Sequence, residues 1–318
     1  MADLFGNDTN EVDLPLIEGT VRVAPDRVLG FAEFGDPNGD PCFWFHGTPG
    51  ARRQVAPLAR QAAAERGVRL VCIERPGSGV STRHRYDRVR DFADDIVHAA
   101  DSLGFDRFAA VGLSGGGPYT LACAATLPDR IVGVGILGGV APSVGHEAAE
   151  GGPVALTKHV SRLLDTVEAP LHWGLRRLLL AAQPFQDQAY NAFRGLMPEG
   201  DQRVFDADGV REMFLDDMGN GLREGGIGAA LRDLVLFGRD WGFQAGDISV
   251  PVHWWHGDED TIVPLAHGEH MATLIPHAEF VVKEGDSHLS GYAAADDVIQ
   301  VVASLFEAPP ERKAPRPR

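Results

Sequence analysis

Short apolar runs alternating with helically spaced segments constrain this 318-residue chain more than any other feature. Pro41–Phe45, Val68–Ile73, Phe108–Leu113, Ile131–Leu137, Val250–Trp255 and Glu279–Lys283 are such runs, and most end at a glycine-bearing turn. Segments with helical spacing fall at about 52–66, 87–103, 115–127, 265–275 and 292–306. A run that is apolar on both faces suits a strand covered by helices on both sides, which is the signature of a parallel sheet. Val21–Val23 and Val28–Phe34, split by Pro25-Asp26, read as a hairpin added to it. The alternation predicts an α/β fold: a mostly parallel eight-stranded sheet with helices on both faces.

One stretch breaks the rhythm. From 141 to 245 no strand pattern appears, while Leu156, Val160, Leu163 and Leu164 share one helical face and Leu175, Leu178 and Leu179 another. An all-helical insertion between two strands reads as a cap over the carboxyl ends of the sheet, where open α/β sheets bind ligands. The expected division is a loose arm over 1–15, a core made of 16–140 and 246–306, the helical cap at 141–245, and a disordered Pro- and charge-rich tail at 307–318. The glycine pairs Gly138-Gly139 and Gly225-Gly226 are candidate hinges for that cap.

Composition narrows the partners. Lys and Arg total 29 against 45 Asp and Glu, a formal net charge of −16, which repels phosphate backbones and argues against nucleic acid. No apolar run reaches the ~18–20 residues of a membrane-spanning helix, and the N-terminus has neither the basic nor the apolar region of a signal peptide. Cys42, Cys72 and Cys123 are odd in number and each lies in an apolar stretch, so buried reduced thiols and a cytoplasmic location are expected. The expected partner is a small-molecule substrate; oligomeric state is left open.

The chemistry centres on Gly112-Leu113-Ser114-Gly115-Gly116, a G-x-S-x-G at the junction of a predicted strand and a predicted helix. Such a turn needs glycine around the serine because the sharp backbone leaves no room for Cβ atoms, and it lifts the hydroxyl above the sheet. Serine needs a base, and the base an orienting group. The loop after the Val250 run carries Asp258 and Asp260, and the loop after the Glu279 run carries His288. The order serine, acid, histidine is the one this architecture uses.

With these motifs the sequence resembles the α/β-hydrolase superfamily over roughly residues 20 to 306. The resemblance assigns the acid to Asp260 within Gly257–Pro264, with Asp258 as the competitor, and the base to His288. His46-Gly47-Thr48-Pro49-Gly50 resembles the oxyanion loop, and Arg75–Ser81 the R-P-G-x-G-x-S loop. It implies Ser114 as nucleophile, the backbone N–H groups of Thr48 and Gly115 as oxyanion donors, and His46 and Gly47 as supporting loop residues. The implied activity is cofactor-free, metal-free hydrolysis of a small apolar ester, thioester or amide. A proline-iminopeptidase-like aminopeptidase and a cofactor-free perhydrolase are the alternatives within the fold; a non-catalytic ligand-binding protein is the alternative outside enzymology. Proline iminopeptidases share an H-G-G-P-G loop, but Thr48 stands here in place of its middle glycine, and the elbow differs from their Gly-Gly-Ser-Trp-Gly. Haloalkane dehalogenases and epoxide hydrolases use aspartate where this chain has Ser114.

Other patterns carry less. Gly133–Gly138 fits G-x-G-x-x-G but lies within an apolar run, the wrong context for a dinucleotide. His253 with His256, and His267 with His270, have H-x-x-H spacing without the glutamate of a zinc helix. Trp173, Phe214 and Phe237 are the candidate pocket-lining residues of the cap, and Glu212, Asp216 and Asp217 read as a solvated helix face.

Overall fold

A computed structural model describes residues 14–152, 156–224 and 227–307. Most of the expected arm, nearly all of the expected tail and the Gly225-Gly226 hinge lie outside the described residues. Eight strands form one sheet in the order β1-β2-β4-β3-β5-β6-β7-β8: β1 (Ile17–Ala24), β2 (Arg27–Gly35), β3 (Asp40–Phe45), β4 (Val68–Ile73), β5 (Phe108–Leu113), β6 (Ile131–Leu137), β7 (Val252–Gly257) and β8 (Ala278–Lys283). β1 pairs antiparallel with β2, and β2 with β4; every other pairing is parallel. The helices of the core are α1 (Pro57–Glu65), α2 (Phe92–Leu103) and α3 (Gly117–Thr126).

The side chains of β3 show why the sheet is covered twice. Phe43 and Phe45 point into a core with Phe92, Ile96 and Tyr119 of α2 and α3. Cys42 and Trp44, on the alternate positions, point into a second core with Ala59 and Ala62 of α1. Every residue of β5 and of β6 is buried, so Gly133–Gly138 belongs to a core strand and its turn. At about 1.5–3 kcal/mol for each fully buried large apolar side chain, these central strands carry much of the stability. All three cysteines are buried free thiols.

The expectation of runs covered on both faces fails at β8. As the last strand it has one neighbour, β7, and none of its residues is fully buried, with the adjacent Val281 and Val282 both 40% exposed.

Between β6 and β7 the chain forms α4 (Thr157–Ala182), α5 (Gln186–Gly195), α6 (Glu199–Phe205), α7 (Val210–Glu224) and α8 (Gly228–Phe237). After β7 come α9 (Leu265–Leu274), the short α10 (Ser290–Ala293) and α11 (Ala295–Glu307). Leu236 and Phe237 of α8 join the first core, and Phe205 and Met213 join the second, so both faces of the sheet extend into these helices. No helix among the described residues is long and apolar enough to cross a membrane.

Strand order reverses at β3, which has β4 on one side and β5 on the other. In open α/β sheets the crevice at such a point is the usual ligand site. Phe45, the last residue of β3, is in register with Gly112 of β5, so the turns that follow both strands leave the sheet side by side.

Candidate active site

Ser114 follows β5 with φ of +51°, the one non-glycine residue among those described in the left-handed region. That conformation costs of order 1–3 kcal/mol and is held by close packing of the turn. A Cβ on Gly112 would run into the Thr120 hydroxyl and the Gly116 backbone; one on Gly115 would run into the Thr48 side chain. These glycines are required by contact, and the contact aims Ser114 out of the sheet.

The loops after β7 and β8 bring the other two groups to it. Ser114 Oγ lies 2.7 Å from His288 Nε2. His288 Nδ1 lies 2.7 Å from Asp260 Oδ2. Asp258 is directed elsewhere: its Oδ1 accepts the Gly285 N–H at 2.8 Å and so shapes the turn before His288. Burial opposes ionisation of Asp260, but hydrogen bonds from His256 and His288 and the Val263 N–H outweigh it and hold the carboxyl well below the usual carboxylate range. Asp260 is therefore a carboxylate at neutral pH, able to orient and balance an imidazolium.

The H-G-T-P-G loop forms the opposite wall. His46 is fully buried, with Nδ1 2.8 Å from the Gly47 carbonyl. Burial and the neighbouring Arg75 keep its ring neutral. The Gly47 N–H donates to Gln54 Oε1 at 2.6 Å and is thereby committed to the loop. Arg75 donates to the carbonyls of His46 and Gly47, both at 2.6 Å, and pairs with buried Asp233 of α8 at 2.8 Å. Asp233 also accepts from the hydroxyls of Thr48 and Tyr119, each at 2.6 Å.

Of the three aromatic residues expected at the pocket, Phe237 is the one beside the site. Its ring lies 3.4 Å from where a Gly115 Cβ would stand. Phe214 instead packs edge-on to Phe205 and against Tyr190 and Phe193, filling the interior of the helical insertion. Trp173 is 61% exposed on α4, with the Arg177 guanidinium over its ring.

Four supporting residues escaped the sequence reading. His256 Nε2 lies 3.4 Å from Asp260 Oδ2 and 2.7 Å from the Val263 carbonyl. Asp201 of α6 accepts the Leu289 N–H at 2.7 Å and the Ser287 hydroxyl at 3.1 Å, clamping the loop that carries His288. Asp233 of α8 braces Thr48 and Arg75. Asp217, expected on a solvated face, is 1% exposed and accepts the N–H groups of Ala51 and Arg53 at 2.9 and 3.0 Å. Asp216, its neighbour, does sit nearer solvent, paired with Arg53. The H-x-x-H histidines do not converge on a cation: among the described residues no group of three or more His, Cys, Asp or Glu is arranged to hold a metal.

The alpha/beta hydrolase fold family model matches residues 43–293. The chain belongs to that family. Its match to a probable proline iminopeptidase of Leptolyngbya boryana is 32% identical over 129 residues, 40% of this chain and 39% of the relative. A proline iminopeptidase of Neisseria gonorrhoeae matches at 30% over 133 residues, 40% of this chain and 42% of the relative. The match thus spans about two fifths of the length of these curated relatives. Among solved structures, a bromoperoxidase from Bacillus anthracis superposes with a TM-score of 0.65 at 19% identity, covering 92% of this chain and all of that one. At that identity the likeness speaks for the fold alone. This hydrolase-family chain thus carries the fold's sheet, with Ser114, Asp260 and His288 in mutual hydrogen-bond reach at the ends of β5, β7 and β8.

Proposed function

We propose that the chain is a serine hydrolase acting through an acyl-serine intermediate. The observation that carries this reading is the pair of 2.7 Å contacts from Ser114 Oγ to His288 Nε2 and from His288 Nδ1 to Asp260 Oδ2. Ser114 Oγ attacks the substrate carbonyl while His288 Nε2 takes its proton; the carbonyl electrons move onto oxygen. The backbone N–H groups of Thr48 and Gly115 receive that oxyanion, an interaction typically worth about 100- to 1000-fold in rate per donor. His288 then protonates the leaving group, and a water deprotonated by His288 releases the acid and restores Ser114. Asp260 holds the tautomer in which Nδ1 bears the proton.

The substrate class we favour is a small apolar ester, thioester or amide, because Phe237 lines the approach to Gly115. The partial likeness to proline iminopeptidases supports a second reading, an aminopeptidase acting on N-terminal proline. Thr48 and the Gly112–Gly116 elbow depart from that family's motifs and favour the ester. The test is p-nitrophenyl ester hydrolysis across acyl chains of increasing length, beside release of a prolyl amide, in wild type and Ser114→Ala. Ester turnover that falls in Ser114→Ala by on the order of 10⁵-fold or more is the expected result. Turnover of the prolyl amide alone decides for the aminopeptidase. Absence of both, with no labelling by a fluorophosphonate, overturns the hydrolase and leaves a ligand-binding protein on the same fold.

A further inference from the structure

A cavity of about 340 Å³ opens beside the loop after β4, and its lining includes none of Ser114, Asp260 and His288. Its walls come from three places: Gly77 of the loop after β4, Arg83 and Arg85 further along the chain, and His172 of α4 with Gly228 and Arg232 of α8. In a chain of net charge −16, so basic a lining stands out. Asp165 is already engaged by Arg85, Arg232 and Arg239. Arg83 differs: its guanidinium contacts His172 Nε2, and no carboxylate pairs with it among the described residues.

That contact fixes the histidine. A guanidinium only donates, so Nε2 accepts and the ring proton sits on Nδ1. His172 is 6% exposed, and its Nδ1 has no hydrogen-bond partner among the described residues. Nδ1 faces Gly228, where a Cβ would stand 3.2 Å away. Gly228 opens α8, a ten-residue helix whose first amides receive no side-chain cap. Gly77 leaves room on the other side, with Ala229 N 3.8 Å from the place a Gly77 Cβ would take. The cationic side chains of Arg83 and Arg232 and the start of α8 at Gly228 therefore border one space, and each favours a negative charge.

We propose that this cavity binds a small-molecule oxyanion, a carboxylate or a phosphate monoester, held by Arg83 and Arg232 beside the start of α8 at Gly228, with His172 holding the Arg83 guanidinium in place. The site backs onto the candidate active site through α8 itself. Arg232 faces the cavity, and the adjacent Asp233 faces Thr48 and Tyr119. The anion is either the acid end of the substrate or a separate ligand; the donor set is the same for both.

Isothermal titration calorimetry of the full chain at low ionic strength, with inorganic phosphate and separately with succinate, tests this without relying on turnover. Saturable binding of at least one anion is expected, weakened about tenfold or more by Arg83→Gln. Arg83 is exposed, so this variant should unfold at the wild-type denaturant midpoint; Gly228→Ala, which crowds His172, is the second variant and should weaken binding as well. If the anion competes with a p-nitrophenyl ester, it occupies the place of the substrate's acid end; if it binds without raising KM, it is a separate ligand. Binding no tighter than about 10 mM to either anion, or binding indifferent to both substitutions, overturns the proposal. Because the readout is heat, a protein that hydrolyses nothing can still pass it.

Discussion

The sheet and the helices inserted between β6 and β7 both shape the candidate active site, but they do so by different means. The sheet supplies the reacting side chains, on loops fixed by strand register: Ser114 after β5, Asp260 after β7, His288 after β8. The helices supply buried carboxylates that hold those loops from outside: Asp201 on the His288 loop, Asp217 on the backbone after the H-G-T-P-G loop, Asp233 on Thr48 and Arg75. A site built this way should lose chemistry when the first set is changed. When the second is changed it should lose stability and alignment.

The largest effect belongs to the sheet. Asp260→Asn keeps the shape of the side chain but not the charge that selects the His288 tautomer. We expect kcat for an activated ester to fall by on the order of 10⁴-fold with a nearly unchanged KM. Steady-state kinetics checks this; a loss of less than tenfold would move the acid's role to another residue.

Asp233→Asn tests the helical half. It leaves the Arg75 guanidinium buried without its counter-charge, a change that costs roughly 3–5 kcal/mol when one partner of a buried pair is removed. It also loosens Thr48, so kcat should fall by about tenfold to 100-fold. Urea unfolding and kcat measured on the same preparation separate the two effects. Full stability with wild-type kcat would show that the insertion does not brace the loop.

These results would also explain what the sequence makes legible. Ser114, Asp260 and His288 could be read because each sits where a strand ends and the backbone demands glycine nearby, and glycine spacing is visible in a sequence. Asp217 and Asp233 could not. Their partners lie 166 and 185 residues away, and the groups Asp217 binds are backbone N–H donors, which every residue but proline carries. The same limit explains Phe214 and Phe237: both are aromatic residues on amphipathic helices, and only the packing of the helices distinguishes the interior of the insertion from the face over Gly115. β8 misled for a related reason, since an apolar run does not reveal that it will be the last strand of its sheet.

Asp217 gives a pH-dependent contrast between the halves. Its burial, reinforced by the negative charges of Glu74 and Asp216, raises its carboxyl to about 7 despite the two N–H groups it accepts. An aspartic acid in the unfolded chain titrates near pH ~4. Between those values the folded state holds a proton that the unfolded state has lost, so stability falls as pH rises from about 4 to about 7 and levels off above. Asp217→Asn removes that dependence. Urea unfolding at pH 5 and pH 8 should show the wild type losing up to a few kcal/mol relative to the variant across this window. Asp260 runs the other way: its depressed carboxyl contributes stability at neutral pH that disappears on acidification through the carboxylate range. A wild-type profile parallel to that of Asp217→Asn would mean that Asp217 stays ionised.

The smallest effect is expected at Trp173, and it is the most pointed test of where the insertion's interior ends. An indole this exposed, with the Arg177 guanidinium over its ring, contributes little to packing, so Trp173→Ala should shift stability by no more than about 0.5 kcal/mol. A surface position also has no route to the carbonyl at Ser114, so kcat/KM for short and long esters should stay within about twofold, less than the ~1–3 kcal/mol that even one methylene in a pocket can be worth. Phe237→Ala is the matched comparison: it removes a ring that is 2% exposed, costs about 3–5 kcal/mol of stability and changes the preferred acyl length. A chain-length preference that followed Trp173 instead would place the substrate on the outer face of α4 and reverse the assignment of inside and outside on which the pocket rests.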